Sequence, residues 1–260
     1  MLTYVVTGAN RGLGFGLARQ LAEEGNRVIG TARNIAAATE LAALPGVTVV
    51  QLDTTDAGSC KKAAERVAEL TGGAIDVLIA NAGFNGTGAF YELDTFPSDD
   101  FLVAEIENTY RTNVLGNILT INAFLPLVQK GTKKTVVSLS SAMGEPKFQE
   151  DLGYSANAVY GASKAALNFV IGKYAIRHKS EGMIFFALCP GWVRTSGPED
   201  EPYSKEALQP FIKMLQKVDP SCDGPKTLRD GAAACLNVIK GLTPEHNGQF
   251  LSYHGDKNWV

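Results

Sequence analysis

Tyr160 and Lys164 stand four residues apart in the segment Tyr160-Gly161-Ala162-Ser163-Lys164, so a helix there projects a phenol and an ammonium from one face. A cation beside a phenol favours the phenolate and lowers its pKa, which makes Tyr160 a candidate proton donor to a carbonyl oxygen. A second pair with this spacing, Tyr253 and Lys257, lies among Gly255 and Asp256 and has no helical pattern to align it. Upstream, Ser138-Leu139-Ser140-Ser141-Ala142-Met143-Gly144 leaves a strand-like run. A serine hydroxyl there can hydrogen-bond and polarise a carbonyl, or simply cap and turn the chain. Asn113, in Arg111-Thr112-Asn113-Val114, is an awkward residue for a helix interior and is suited to hold a water or a backbone carbonyl in a proton relay.

Near the start, Thr7-Gly8-Ala9-Asn10-Arg11-Gly12-Leu13-Gly14 joins a strand pattern to a helix pattern. Small residues there let the backbone approach a pyrophosphate, and a helix N-terminus favours its charge. An NAD site of this design places an acid at the end of the second strand, roughly 20 residues on, to bind the ribose 2′-hydroxyl. Here that place reads Thr31-Ala32-Arg33-Asn34. Arg33 and Arg11 can instead form charge-assisted bonds to a 2′-phosphate, so NADP(H) is the expected cofactor; the plainer reading leaves both as solvated surface groups. Asp53 ends the third strand pattern and can accept from an adenine amino group or serve as a turn or N-cap residue. Asn81-Ala82-Gly83 ends the fourth, at the same ligand-binding edge.

Positioning these groups requires alternating elements. Strand patterns cover Tyr4–Thr7, Arg27–Ala32, Val47–Leu52, Val77–Ala80, Thr135–Ser140, Ile184–Leu188 and Gln249–Leu251. Helical periodicity covers Leu13–Glu24, Ser59–Leu70, Asp100–Val128, Ala158–His178 and Thr227–Ile239. The alternation predicts an α/β fold, a Rossmann-type doubly wound seven-stranded parallel sheet with helices on both faces. With 260 residues, 45% of them apolar, and no linker or repeat, residues 1–260 read as a single domain. The Pro-rich stretch 195–222, with Pro198, Pro202, Pro210 and Pro220, is its least regular part and a candidate substrate lid.

In order and spacing, these segments resemble the short-chain dehydrogenase/reductase family, and more narrowly its small NADPH carbonyl reductases and fungal polyketide ketoreductases. The likeness runs over nearly the whole chain and adds Pro190-Gly191-Trp192-Val193-Arg194-Thr195 to the motifs above. It implies reduction of a ketone or aldehyde, a polyketide or aromatic ketone among them, with Tyr160 as general acid. It selects Ser141 to orient the carbonyl, gives Lys164 the nicotinamide ribose and the tuning of Tyr160, and puts Asn113 in a water relay. It sets Pro190, Gly191, Val193 and Thr195 along the cofactor, with Thr195 at the nicotinamide amide. It also implies a homodimer or homotetramer built on the long helices. Two departures stand out. Ala80 replaces the first asparagine of the family's usual Asn-Asn-Ala-Gly, and Glu145–Ser155 lengthens the interval from Ser141 to Tyr160. That insertion reads as a solvent-exposed loop, or as a source of Phe148 or Tyr154 for the pocket. Phe84, Phe90, Trp192 and Tyr203 can also border the substrate or pack in the core.

Other classes fit less well. The histidines, His178, His246 and His254, come late, no GxSxG elbow occurs, and no His/Cys/Asp cluster has metal-ligand spacing, so neither a serine hydrolase nor a metal site is expected. A non-catalytic NADP-binding sensor on the same fold is the main rival, but it has no use for Tyr160 and Lys164 together. Net charge −3 with scattered Lys and Arg offers no footprint for nucleic acid or anionic membrane, which leaves a small-molecule carbonyl compound as partner. No apolar run spans a bilayer, and the first strand pattern begins at once, so the expected location is the cytoplasm. Cys60, Cys189, Cys222 and Cys235 form no CxxC pair and read as buried free thiols.

Overall fold

The structure is a computed structural model that describes residues 1–195 and 205–260. Strand β1 (Thr3–Val6) leads into helix α1 (Gly12–Glu23), then β2 (Arg27–Ala32), the short α2 (Thr39–Ala42), β3 (Val47–Gln51), α3 (Ala57–Thr71) and β4 (Val77–Ala80). The second half runs α4 (Asp99–Tyr110), α5 (Gly116–Val128), β5 (Thr135–Leu139), α6 (Pro146–Leu152), α7 (Ala158–Arg177), β6 (Ile184–Cys189), α8 (Lys205–Leu215), α9 (Leu228–Lys240) and β7 (Phe250–Ser252). All seven strands pair in parallel in the order β3-β2-β1-β4-β5-β6-β7, as the alternating pattern predicts. The chain therefore reverses direction across the sheet between β1 and β4, and a crevice opens outside their carboxyl ends.

Every residue of β4, β5 and β6 is buried. Runs such as Val77-Leu78-Ile79-Ala80 are apolar on both faces because helices cover both. On one side Leu17 and Leu21 of α1 and Leu236 and Ile239 of α9 pack against Val6, Ile79 and Phe186. On the other, Val67 of α3, Phe124 of α5 and Ile171 of α7 pack against Leu78, Val136 and Phe185. The four cysteines are free and buried, as expected.

Three segments differ from the sequence expectation. Asp100–Val128 is not one regular helix, because a π-helical turn at Arg111–Leu115 separates α4 from α5. Asn113 lies buried in this wider turn, of a kind found frequently at functional sites. The insertion Glu145–Ser155 is not an exposed loop: it contains α6, whose Phe148 and Leu152 are buried in a third apolar cluster. The stretch 195–222 contains α8, whose Ile212 and Leu215 are buried. Residues 196–204 of that candidate lid, including Pro198, Pro202 and Tyr203, lie outside the described residues.

Candidate active site

Helix α7 carries Tyr160 and Lys164 on one face, the ammonium lying 5.5 Å from the phenol ring centroid. Lys164 is 4% exposed, and its Nζ donates to the Leu139 carbonyl at the end of β5 at 2.7 Å. Burial pulls its pKa down to about 8. Burial also pushes the Tyr160 phenol up to about 12, against a hydrogen bond from Ser141 that pulls the other way. Desolvation and the Ser141 hydrogen bond are the main causes of this shift, and the expected lowering of the phenol by its lysine is not among its causes. The consequence suits a proton donor, since such a phenol is fully protonated at neutral pH.

The two serines have different partners. Ser140 is buried and its hydroxyl donates to Asn168 Oδ1 at 2.6 Å. Ser141 caps the short turn Ala142–Gly144, its Oγ accepting from the Met143 N–H at 3.2 Å, and it is the serine that meets Tyr160. Asn113 is fully buried, and its side chain is committed to protein. Its Nδ2 donates to the Phe84 carbonyl at 2.8 Å and to Ser163 Oγ at 3.0 Å, while its Oδ1 accepts from the Phe84 N–H at 2.8 Å. Only the Asn113 carbonyl is left for a relay, and Asn117 Nδ2 already donates to it at 2.9 Å.

A cleft of about 1570 Å³ runs along the carboxyl edge from Arg33 and Asn34 to Tyr160 and Lys164. It is large enough for a dinucleotide and a substrate together. At its centre α1 begins at Arg11 with no side-chain cap and no acid in the first turn, so its leading N–H groups have no competing carboxylate. Gly12 has φ +55 and lies under Thr195, and a Cβ at Gly14 would overlap the Gly8 carbonyl and Asn81 Nδ2. Asn81 ties the two crevice strands together, donating through Nδ2 to the Thr7 carbonyl at 2.9 Å. Thr7 Oγ1 in turn accepts from the N–H groups of Asn81 and Ala82 at 3.0 Å each. This cradle is built from backbone and small residues, and it fits a pyrophosphate.

Arg11 and Arg33 are exposed and both line the cleft. No acid follows β2 to compete for them, since Arg33-Asn34 occupies that place. Asp53 is a turn residue that also borders the cleft. Its Oδ1 accepts from Thr55 N–H at 2.9 Å and Thr55 Oγ1 at 2.8 Å. The Thr55 N–H is the main cause of its lowered pKa.

Of the other expected cofactor residues, Gly8, Asn10, Leu13, Gly83, Pro190 and Thr195 line the cleft. Gly191 and Val193 do not: Gly191 packs against the Tyr253 ring, and Val193 packs on Gly231 of α9 and bridges Lys226 in parallel. Lys226 and Thr227 line the cleft without having been singled out. No local motif marks them, because the Val193–Lys226 bridge that brings them there joins segments remote in sequence. Tyr253 hydrogen-bonds Lys226 Nζ at 2.6 Å and not Lys257. Among the aromatic candidates Phe84 lines the cleft, Phe90 is exposed, and Phe148, Tyr154 and Trp192 belong to the third apolar cluster. The described residues contain no metal-holding group and no helix long and apolar enough to cross a membrane.

Comparison with known proteins gives a consistent picture. The family model described as short chain dehydrogenase matches residues 3–205. The short-chain dehydrogenase/reductase atnB of Arthrinium sp is 38% identical over the full length of both chains. The short-chain dehydrogenase/reductase iacC of Pestalotiopsis fici is 32% identical, again over the full length of both. Among solved structures, the NADPH-bound carbonyl reductase from chicken fatty liver superposes with a TM-score of 0.78 at 28% identity, covering 98% of each chain. A short-chain dehydrogenase from Burkholderia cenocepacia in complex with NADP gives 0.74 at 25% identity, covering 98% of this chain and 97% of that one.

Proposed function

Because the chain belongs to the short-chain dehydrogenase/reductase family, we propose that it is an NADPH-dependent reductase of ketones or aldehydes, with Tyr160 as the proton donor. The observation that carries this reading is the placement of Tyr160 and Lys164, with Ser141 hydrogen-bonded to the phenol, at one end of a cleft whose other end holds Arg11 and Arg33. The NADP-bound and NADPH-bound neighbours support the choice of cofactor.

The α1 N-terminus would hold the pyrophosphate, Arg11 and Arg33 the 2′-phosphate, Asp53 the adenine, Lys164 the nicotinamide ribose and Thr195 the carboxamide. The bound dinucleotide supplies the hydride. Ser141 donates a hydrogen bond to the substrate oxygen and fixes it beside the phenol. Tyr160 then gives that oxygen its proton as negative charge develops there. Lys164, buried against the Leu139 carbonyl, stabilises the resulting phenolate and re-protonates it, and solvent returns the lysine's proton through a water that the Asn113 carbonyl can orient.

Aromatic and polyketide-derived ketones are the first substrates to try, since Phe84 forms part of the wall. NADPH consumption across a panel of ketones and quinones tests the reaction, and titration of both dinucleotides tests the arginines. We expect turnover with some member of the panel and NADP binding at least about tenfold tighter than NAD binding, the worth of one charge-assisted contact. Equal affinities would remove the 2′-phosphate assignment.

A further inference from the structure

Glu105, on α4, is a carboxylate that this chemistry leaves unused, and it is only 5% exposed. Burying a charge is costly unless donors compensate it. Here the donors come from one loop. Oε2 accepts from the Thr87 N–H at 3.1 Å and the Thr87 hydroxyl at 3.0 Å, and Oε1 accepts from the Gly88 N–H at 3.1 Å. Gly86, at φ +84, wraps so closely that a Cβ there would overlap Oε1. Eight residues further along the same helical run, Asn113 grips both the N–H and the carbonyl of Phe84. The loop between β4 and α4 is therefore pinned twice, at Phe84 and at Thr87-Gly88.

This loop faces the chemistry on one side and supports it on the other. Phe84 and Asn85 line the cleft that contains Tyr160. Asn157, in the left-handed conformation at φ 59 and capping α7 three residues before Tyr160, donates from its N–H to the Tyr91 carbonyl at 3.3 Å. Its Nδ2 donates to Asn85 Oδ1 at 3.3 Å, and Ser155 hydrogen-bonds Glu92. Tyr91, Phe96 and Phe101 then pack the far part of the loop back onto α4 through tilted and edge-on contacts, with centroids 5.3 to 5.9 Å apart.

We propose that Glu105 is a positioning and specificity-determining residue: by holding Thr87 and Gly88 it fixes the Phe84–Asn85 wall at the width that orients a bulky carbonyl substrate against Tyr160. The proposal rests on the carbonyl reductase reading above. A small carbonyl compound reaches Tyr160 without leaning on this wall, whereas a two-ring ketone depends on it for a reactive orientation. The residues assigned to the cofactor lie outside Phe84–Gly88, on α1, at the ends of β2, β3 and β4, on α7 and in the turn after β6.

The test uses Glu105→Gln, which keeps the shape but sets an NH2 against loop donors, with Thr87→Val as a milder second variant should the first fail to fold. The readouts are amide hydrogen exchange, NADPH affinity, and KM for butane-2,3-dione and 2-acetylnaphthalene. We expect Thr87 and Gly88 amides to exchange at least about tenfold faster as the loop opens locally. The KM for 2-acetylnaphthalene should rise about fivefold or more, with that for the dione and the NADPH Kd within about twofold. Thr87→Val should shift the same readouts in the same direction by less. Unchanged loop exchange, or equal shifts for both ketones and NADPH, would overturn the proposal while leaving the reductase reading intact. A wild-type enzyme that consumes no NADPH with any carbonyl compound would instead overturn that reading, and the substrate role of Glu105 with it.

Discussion

Tyr160 and Lys164 are shifted in opposite directions by the same cause, burial, and together they set the pH behaviour of the site. With its phenol near 12, Tyr160 keeps its proton throughout the neutral range. Lys164, lowered to about 8, loses its charge as pH rises past that value, and the ribose and phenolate then lose their cation. We expect kcat/KM for NADPH, which reports the free enzyme, to fall on a basic limb near pH 8. The folded protein binds fewer protons at Lys164 than the unfolded chain does between about pH 8 and the ordinary lysine value, so this group's burial penalty, full below that window, is relieved as pH rises through it. Loss of activity there would accordingly not be loss of fold. A flat profile from neutral pH to the ordinary lysine range would show that Lys164 is not the cation required.

At the scale of elements, α6 is what the chain adds between Ser141 and Tyr160. Leu152 is fully buried against the third cluster, and Lys217 Nζ, just beyond α8, donates to its carbonyl at 2.7 Å. Tyr154 and Trp192 both contact Phe211 of α8 edge-on, at 6.4 and 4.8 Å. Leu152→Ala removes the centre of this packing and should cost about 2 to 5 kcal/mol, read as a lower denaturant midpoint. A shift under about 0.5 kcal/mol, the scale of an ordinary surface change, would mean α6 is an appendage.

These elements also mark where sequence patterning reaches its limit. The strands and the long helices were legible because burial on two faces or one imposes a clear period. α6 was not, since Pro146-Lys147-Phe148-Gln149-Glu150-Asp151-Leu152 has two apolar residues whose burial depends on α8. The π turn is foreshadowed only by the misfit of Asn113 in a helix, and nothing in the sequence alone sets Glu105 apart from other acids. The same holds for Ser140 and Ser141, adjacent in sequence and separated in role by Asn168.

Across the whole molecule, the sheet order does what no single motif does: it brings the α1 turn, Asp53, Asn81 and the Tyr160 helix to one edge, joined by a continuous cleft. The opposite consequence is a surface left apolar. Phe169 and Ile176 on α7 are 67% and 74% exposed, with Val103 and Ile106 of α4 also exposed. We propose that this face closes a homodimer or homotetramer. Sedimentation should show an assembly that Phe169→Asp with Ile176→Asp reduces to monomer, and a monomeric wild type would exclude it. The central claim, that Tyr160 gives the proton in an NADPH-dependent reduction, is tested most directly by comparing turnover and NADPH affinity in Tyr160→Phe. Turnover of the best ketone should fall by about 10² to 10⁴-fold, the usual worth of a positioned general acid, with the NADPH Kd within about twofold, a small fraction of one contact. Near-normal turnover in that variant would contradict the account.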